Sequence, residues 1–261
     1  MTARIPHILL WLLFAGPLAA TDNYVYKAHE YVTISGGCSP NGRWAIAAHG
    51  EGETGDGNFD FYLTREPAHE KFTPLHTEGS LDTAPLSLIA IWSPDSKHVV
   101  LLHRVDRHVL EIELFAVTDG KARAIKVPLL LDLVGGHHFE KAVHYELASR
   151  LYRVTWQQAD RFDLQETDAL DAHAPVFQSG LEPYLSVDSL GPERAFTYFS
   201  AQATCKIDRK GELRVVDVRA LPQSSWSKPI EYSPHLIFDS ERGLHSTETT
   251  LSSLEAQKHS R

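Results

Sequence analysis

The chain has 261 residues, 43% of them hydrophobic, with 25 Lys and Arg against 34 Asp and Glu, for a formal net charge of −9. It is long enough to bury one large core or two smaller ones. Its acidity and the scatter of its bases exclude nucleic acid and anionic lipid surfaces as main partners. In chain order, the first twenty residues read as a segment apart from the fold. Arg4 precedes the apolar run Ile8–Ala15, Gly16-Pro17 breaks it, and Leu18-Ala19-Ala20 ends it with small residues. That is the pattern of a cleaved secretory signal. The run is shorter than the roughly 20 apolar residues a membrane helix needs. Removing these twenty residues from 261 leaves 241, and losing Arg4 takes the formal charge from −9 to −10. A secreted or periplasmic protein with no membrane span after cleavage is expected. The absence of any Asn-x-Ser/Thr acceptor favours a bacterial one.

Strand signals dominate the rest. Residues 30–35 and 59–64 alternate apolar and polar, and 86–92 is nearly continuously apolar, as suits a strand buried on both faces. Strands at 98–103 and 109–117 follow, joined by the short connection 104–108. Asp119-Gly120 then marks a tight turn into 122–127. Residues 86–127 thus form a four-stranded meander, and 30–77 repeat its order. A third meander is drawn from 139–145, 150–156, 162–166 and 176–177, with a turn at 146–149. A fourth uses 184–187, 195–199, 204–207 and 213–218, with Lys210-Gly211 at a hairpin. Helix signal is confined to 129–134 and to a short stretch near 251–257. We divide the chain into a signal segment (1–20), a β domain (21–239) and a polar tail (240–261).

Two segments repeat one design. Cys38-Ser39-Pro40-Asn41-Gly42-Arg43-Trp44 and Trp92-Ser93-Pro94-Asp95-Ser96-Lys97-His98 each end a strand, turn, and begin another, 54 residues apart between Ser39 and Ser93. Pro presets the backbone for a turn, Asn or Asp accepts backbone hydrogen bonds, and Gly or Ser takes the tight corner. These turns resemble the blade turn of WD40-like, TolB-type β-propeller repeats, over about the first half of the mature chain. The resemblance implies an all-β, propeller-like array of four-stranded antiparallel meanders, with four or five blades. A β-sandwich is the alternative built from the same meanders. It also implies that the loops at 50–58, 104–108 and 157–161 open on one face. The ligand-binding residues expected there are Glu51, Glu53 and Asp56 from an acidic loop, and Arg104, Asp106, Arg107 and His108 from a basic corner.

Catalytic signatures are absent from the sequence. There is no Gly-x-Ser-x-Gly elbow, no phosphate loop, no dinucleotide fingerprint and no His-Glu-x-x-His. Asp56, Asn58 and Asp60 have the rhythm of a calcium loop, but Phe61 and Pro67 stand where glycine and a closing glutamate belong. His137-His138 with His144, and His103 with His108, could ligate a metal, but dispersed surface or satisfied histidines are the simpler reading. Asp160, Asp163 and Glu166 offer acid–base pairs of a kind any acidic chain contains. Ser35-Gly36-Gly37 reads as a strand-end turn. Cys38 and Cys205 are expected either to form a disulfide or to be separate buried thiols. A bridge would close a loop worth about 4–5 kcal/mol in the chain-entropy model. The expectation is an exported, non-catalytic binding or scaffold protein presenting a loop-lined face to a protein, peptide or carbohydrate, with no catalytic residue, metal or cofactor. The alternative is a hydrolase using carboxylates or a His-bound metal at the channel mouth.

Overall fold

The repeated turns set the frame. In the computed structural model, which describes residues 24–50, 59–68, 70–75, 77, 80–135, 146–172, 181–189 and 195–221, the two Ser-Pro turns have the same hydrogen bonds. Ser39 Oγ accepts from Trp44 N at 3.0 Å, and Ser93 Oγ accepts from His98 N at 3.0 Å. Asn41 Oδ1 takes the Arg43 N–H at 3.0 Å, as Asp95 Oδ1 takes that of Lys97 at 3.2 Å. Gly42 and Ser96 hold the corner at φ of 65° and 61°. That left-handed region is free to glycine and strained for serine. Ser96 has a use there: its Oγ accepts from Asn41 N at 3.0 Å and ties one turn to the other.

From these turns run two meanders. The first is β1 (Val32–Cys38), β2 (Trp44–Gly50), β3 (Phe59–Arg65) and β4 (Glu70–Leu75). The second is β5 (Ile89–Trp92), β6 (His98–Asp106), β7 (Val109–Thr118) and β8 (Lys121–Ile125). Asp119 and Gly120 both have positive φ, 48° and 78°, in the turn between β7 and β8, the backbone of a type I′ hairpin. Gly36-Gly37 is not a strand-end turn. Both lie inside β1, where the register with β2 shifts. A Cβ on Gly36 would collide with the Ala90 carbonyl. The glycine therefore lets β1 reach β5, which it meets in parallel at Ser35 and Ile89.

The second half departs from the expected third and fourth meanders. After α1 (Leu130–Gly135), β9 (Glu146–Gln158) and β10 (Arg161–Ala172) are long paired strands. Residues 146–149, expected to turn, belong to β9. β11 (Leu185–Ser189), β12 (Ala195–Ile207) and β13 (Leu213–Ala220) complete the set. Ser200–Ala203 does not break the chain between two strands. β12 runs through it and pairs with β10 over its length, so the two expected units are one sheet. The expected strands at 139–145 and 176–177, and the helix near 251–257, lie outside the described residues. All the strands connect into one mixed, open sheet of thirteen, with β4 and β11 at the ends of its path. The described fold is all-β apart from this one short α-helix and two 3-10 turns.

The second meander carries a core on each face. Val99, Leu101, Phe115 and Val117 pack with Ile34, Trp44, Ile46, Phe61, Leu63 and Leu75 of the first meander. The alternate positions of the same two strands, Val100 and Leu102 on β6 and Ile112 and Leu114 on β7, pack with Leu130, Val154, Phe162, Leu164 and Phe199. Successive strand side chains point to opposite faces, so a run such as Val99–Leu102 is apolar throughout because both its faces are covered.

Candidate functional site

Four strand connections converge at one end of this stack. The Ser93 turn starts β6 and places His98. The hairpin from β7 to β8 brings Arg123, the turn from β9 to β10 brings Asp160, and the turn after β12 brings Arg209 and Lys210. Between them lies a cleft of about 720 Å³ that Lys206 also lines. Its walls are tied together. Ile207 N donates to the Asp160 carbonyl at 2.8 Å, and Arg123 Nη2 donates to the Gly211 carbonyl at 3.0 Å. Asp208 organises the last turn: its Oδ1 accepts from Lys210 N at 2.8 Å and Glu212 N at 3.1 Å, and its Oδ2 pairs with Arg214 at 2.9 Å. The Glu212 and Lys210 N–H groups and Arg214 hold that carboxyl below the usual carboxylate range.

Charge in the cleft runs against that of the chain. Arg123, Lys206, Arg209 and Lys210 face Asp160 and Asp208, and Asp208 is committed to its own turn. Lys206 lies 4.0 Å from Asp160, with both side chains about half exposed, at 55% and 47%. That is a screened pair of little structural weight. His98 stacks on Trp156, their rings 6.1 Å apart. Burial lowers its pKa, so the ring is neutral near pH 7. Its Nδ1 has no hydrogen-bond partner among the described residues.

A second charged group is sealed inside the long-stranded sheet. Across β9 and β10, Arg150 pairs in register with Asp168, and Tyr152 with Glu166. Arg150 grips Asp168 by two hydrogen bonds, Nε to Oδ1 at 2.9 Å and Nη2 to Oδ2 at 3.2 Å. Glu166 accepts the first helical N–H groups of α1, from Leu130 at 2.8 Å and Leu131 at 3.0 Å. Both carboxylates have zero exposure. Desolvation raises both, and the neighbouring charge of Asp168 adds to it, so Glu166 is pushed up to about 8. The Arg150 fork pulls Asp168 back toward its ionised form. The proton this group holds near neutrality therefore rests on Glu166. The Tyr152 hydroxyl, also buried, has no hydrogen-bond partner among the described residues. With both carboxylates closed to solvent, the group anchors α1.

The residues expected to bind a ligand are distributed differently. Arg104 is buried and pairs with Asp82 at 3.3 Å, at 6% and 2% side-chain exposure. Its carbonyl accepts from Leu81 N at 2.6 Å and Ser80 Oγ at 3.3 Å. It holds the segment before β5 in place. Asp106 and Arg107 are exposed, with the Asp106 carboxylate accepting the Arg107 N–H. His108 is half-buried, and desolvation, then Arg104 and Arg107, lower its pKa. Glu51, Glu53 and Asp56 lie outside the described residues. The expectation that 104–108 and 157–161 share a face does not hold. His98 and Asp106 end the same nine-residue strand, roughly 26 Å apart at about 3.3 Å per residue. His98 neighbours the 159–160 turn, whereas Arg150 N, near the start of β9, bonds the His108 carbonyl at 3.0 Å. The two connections therefore cap opposite ends of the sheet.

Of the two arrangements expected for the cysteines, the structure has the unbridged one, with only Cys205 buried. Cys38 and Cys205 are free, Cys38 exposed on β1 and Cys205 buried on β12, with the second meander between their layers. Burial pushes the Cys205 thiol up to about 12, so it is inert packing. Among the described residues no group of three or more His, Cys, Asp or Glu is arranged to hold a metal, and no helix is long and apolar enough to cross a membrane. No protein-family model matches this chain, and no curated protein matches it.

Proposed function

We propose that this is an exported, non-catalytic binding protein of WD40-like, TolB-type build, whose meanders are propeller-like blades and whose cleft at the His98 end receives a protein, peptide or carbohydrate. The blade reading is supported by the matched Ser-Pro turns and by a second meander packed on both faces as a blade between neighbours. The binding reading rests on one observation: four connections border an open cleft of about 720 Å³ and are cross-tied by their own hydrogen bonds. A site built this way meets its ligand with little ordering cost, the usual source of affinity in a preformed pocket.

The test is to fill the cleft. Thr118 lines it and is exposed, so Thr118→Trp occupies the space without touching either core. The full chain is titrated by calorimetry with panels of peptides and oligosaccharides. The reading expects saturable binding without turnover, lost in Thr118→Trp at an unchanged melting temperature. Binding indifferent to Thr118→Trp, or chemical conversion of a bound ligand, overturns it.

A further inference from the structure

Resting on the cleft reading above, we infer that the ligand is an acidic peptide segment of a partner protein, its carboxylates held by Arg123, Lys206, Arg209 and Lys210. The cleft concentrates four cations from β8, β12 and the turn after β12 on a chain whose formal charge is −9. Composition cannot account for that local excess, whereas a site for negative charge does. One of the two carboxylates present, Asp208, is engaged by two backbone N–H groups and Arg214 and faces its own turn. The other, Asp160, meets Lys206 only at 4.0 Å across an exposed gap that a ligand carboxylate can enter.

The lining also chooses among anions. It offers no Trp, Tyr or Phe ring face, so a sugar ring has no flat apolar platform. It offers three exposed side-chain cations and one guanidinium braced against the Gly211 carbonyl. An Arg fork suits the planar carboxylate of Asp or Glu, and lysines serve as adjustable point charges. A ligand with several carboxylates on a flexible backbone satisfies this set.

The experiment uses the full chain and an acetylated, amidated hexaglutamate, with hexaglutamine and a uronic-acid oligosaccharide as comparisons. Saturable binding of hexaglutamate alone is expected, weakening as salt rises from 50 to 300 mM. Lys206→Gln with Lys210→Gln should cost about tenfold or more in Kd, since each change removes a charge-assisted contact to a ligand carboxylate. No binding of hexaglutamate, or binding unaffected by that pair, overturns the inference. Binding of the oligouronate in place of the peptide overturns the peptide assignment. If another ligand from the panel is lost in Thr118→Trp yet ignores salt and the lysine changes, the cleft reading stands and this inference falls.

Discussion

Two groups of opposite charges lie on the same long-stranded sheet and do opposite things. In the group around Arg150, Asp168 and Glu166 the carboxylates are sealed from solvent, so every charge must find its partner inside the protein. In the cleft, Lys206 and Asp160 are about half exposed, and water satisfies whatever the protein does not. Removing a charge from the first group leaves its partner buried and uncompensated, whereas removing one from the second leaves only water to fill in. Burial thus separates the charges that hold the fold from those that water can satisfy in their place.

The largest expected effect comes from breaking the sealed pair. Arg150→Met leaves Asp168 buried without its counter-ion and should cost about 3–5 kcal/mol in urea denaturation. The double variant Arg150→Met with Asp168→Leu removes both charges and should recover most of that loss. A double variant no more stable than the single one would mean that the pair is not the source of the effect.

Acidity should act on the same group. Because the Glu166 carboxyl is raised to about 8 from an ordinary 4.5, the folded state holds a proton that the unfolded state has released. Its contribution is complete below about pH 4.5 and is lost as pH rises toward 8, with a slope of up to about 1.4 kcal/mol per pH unit. The charges around Glu166 are Asp168, Arg150 and, across the phenol of Tyr152, Glu111, while Asp132 of α1 bears on Asp168. Glu166→Gln cannot ionise. The difference between its stability curve and that of the parent across pH 5–8 isolates this residue, and parallel curves would refute the assignment.

The sealed group was hard to read from the sequence because local pattern points the wrong way. In Phe162-Asp163-Leu164-Gln165-Glu166-Thr167-Asp168-Ala169-Leu170, alternation puts Glu166 and Asp168 on the apolar face, yet an acidic chain makes such carboxylates look ordinary. Only their registry with Tyr152 and Arg150 gives them meaning, and registry between strands is a tertiary fact. The Ser-Pro turns were legible for the opposite reason. Each is closed by hydrogen bonds among its own residues, so the local sequence determines it. The cleft falls between these cases. The hairpin at Lys210-Gly211 was visible in the sequence, whereas its meeting with Arg123, 88 positions away, was not.

Smaller effects sharpen the contrast. Gly211 has φ of 78°, and a Cβ there would run into the Arg123 guanidinium. Gly211→Ala should cost roughly 1–2 kcal/mol from the left-handed backbone and the displaced contact together. Adding Arg123→Ala should remove the collision and keep the backbone part, and a full recovery would show that φ is unimportant. Tyr152→Phe should stabilise the fold by about 1 kcal/mol, because it deletes a buried hydroxyl with no partner among the described residues. A loss of that size would mean that the hydroxyl has a partner after all.

The smallest predicted effect is the one that decides whether the cleft belongs to the fold or to a ligand. Lys206→Gln with Lys210→Gln removes two of its four cations. Both side chains are exposed, and the contact from Lys206 to Asp160 is a surface pair at 4.0 Å. Exposed substitutions clear of special backbone positions stay within about 0.5 kcal/mol. The Lys210 N–H that caps Asp208 is a main-chain group and survives the change. Denaturation of the double variant should therefore overlay that of the parent. A loss above about 1 kcal/mol would place these lysines with Arg150, as charges the fold needs. An unchanged curve means that these two lysines stand in the cleft without stabilising the fold, as the proposed binding role expects.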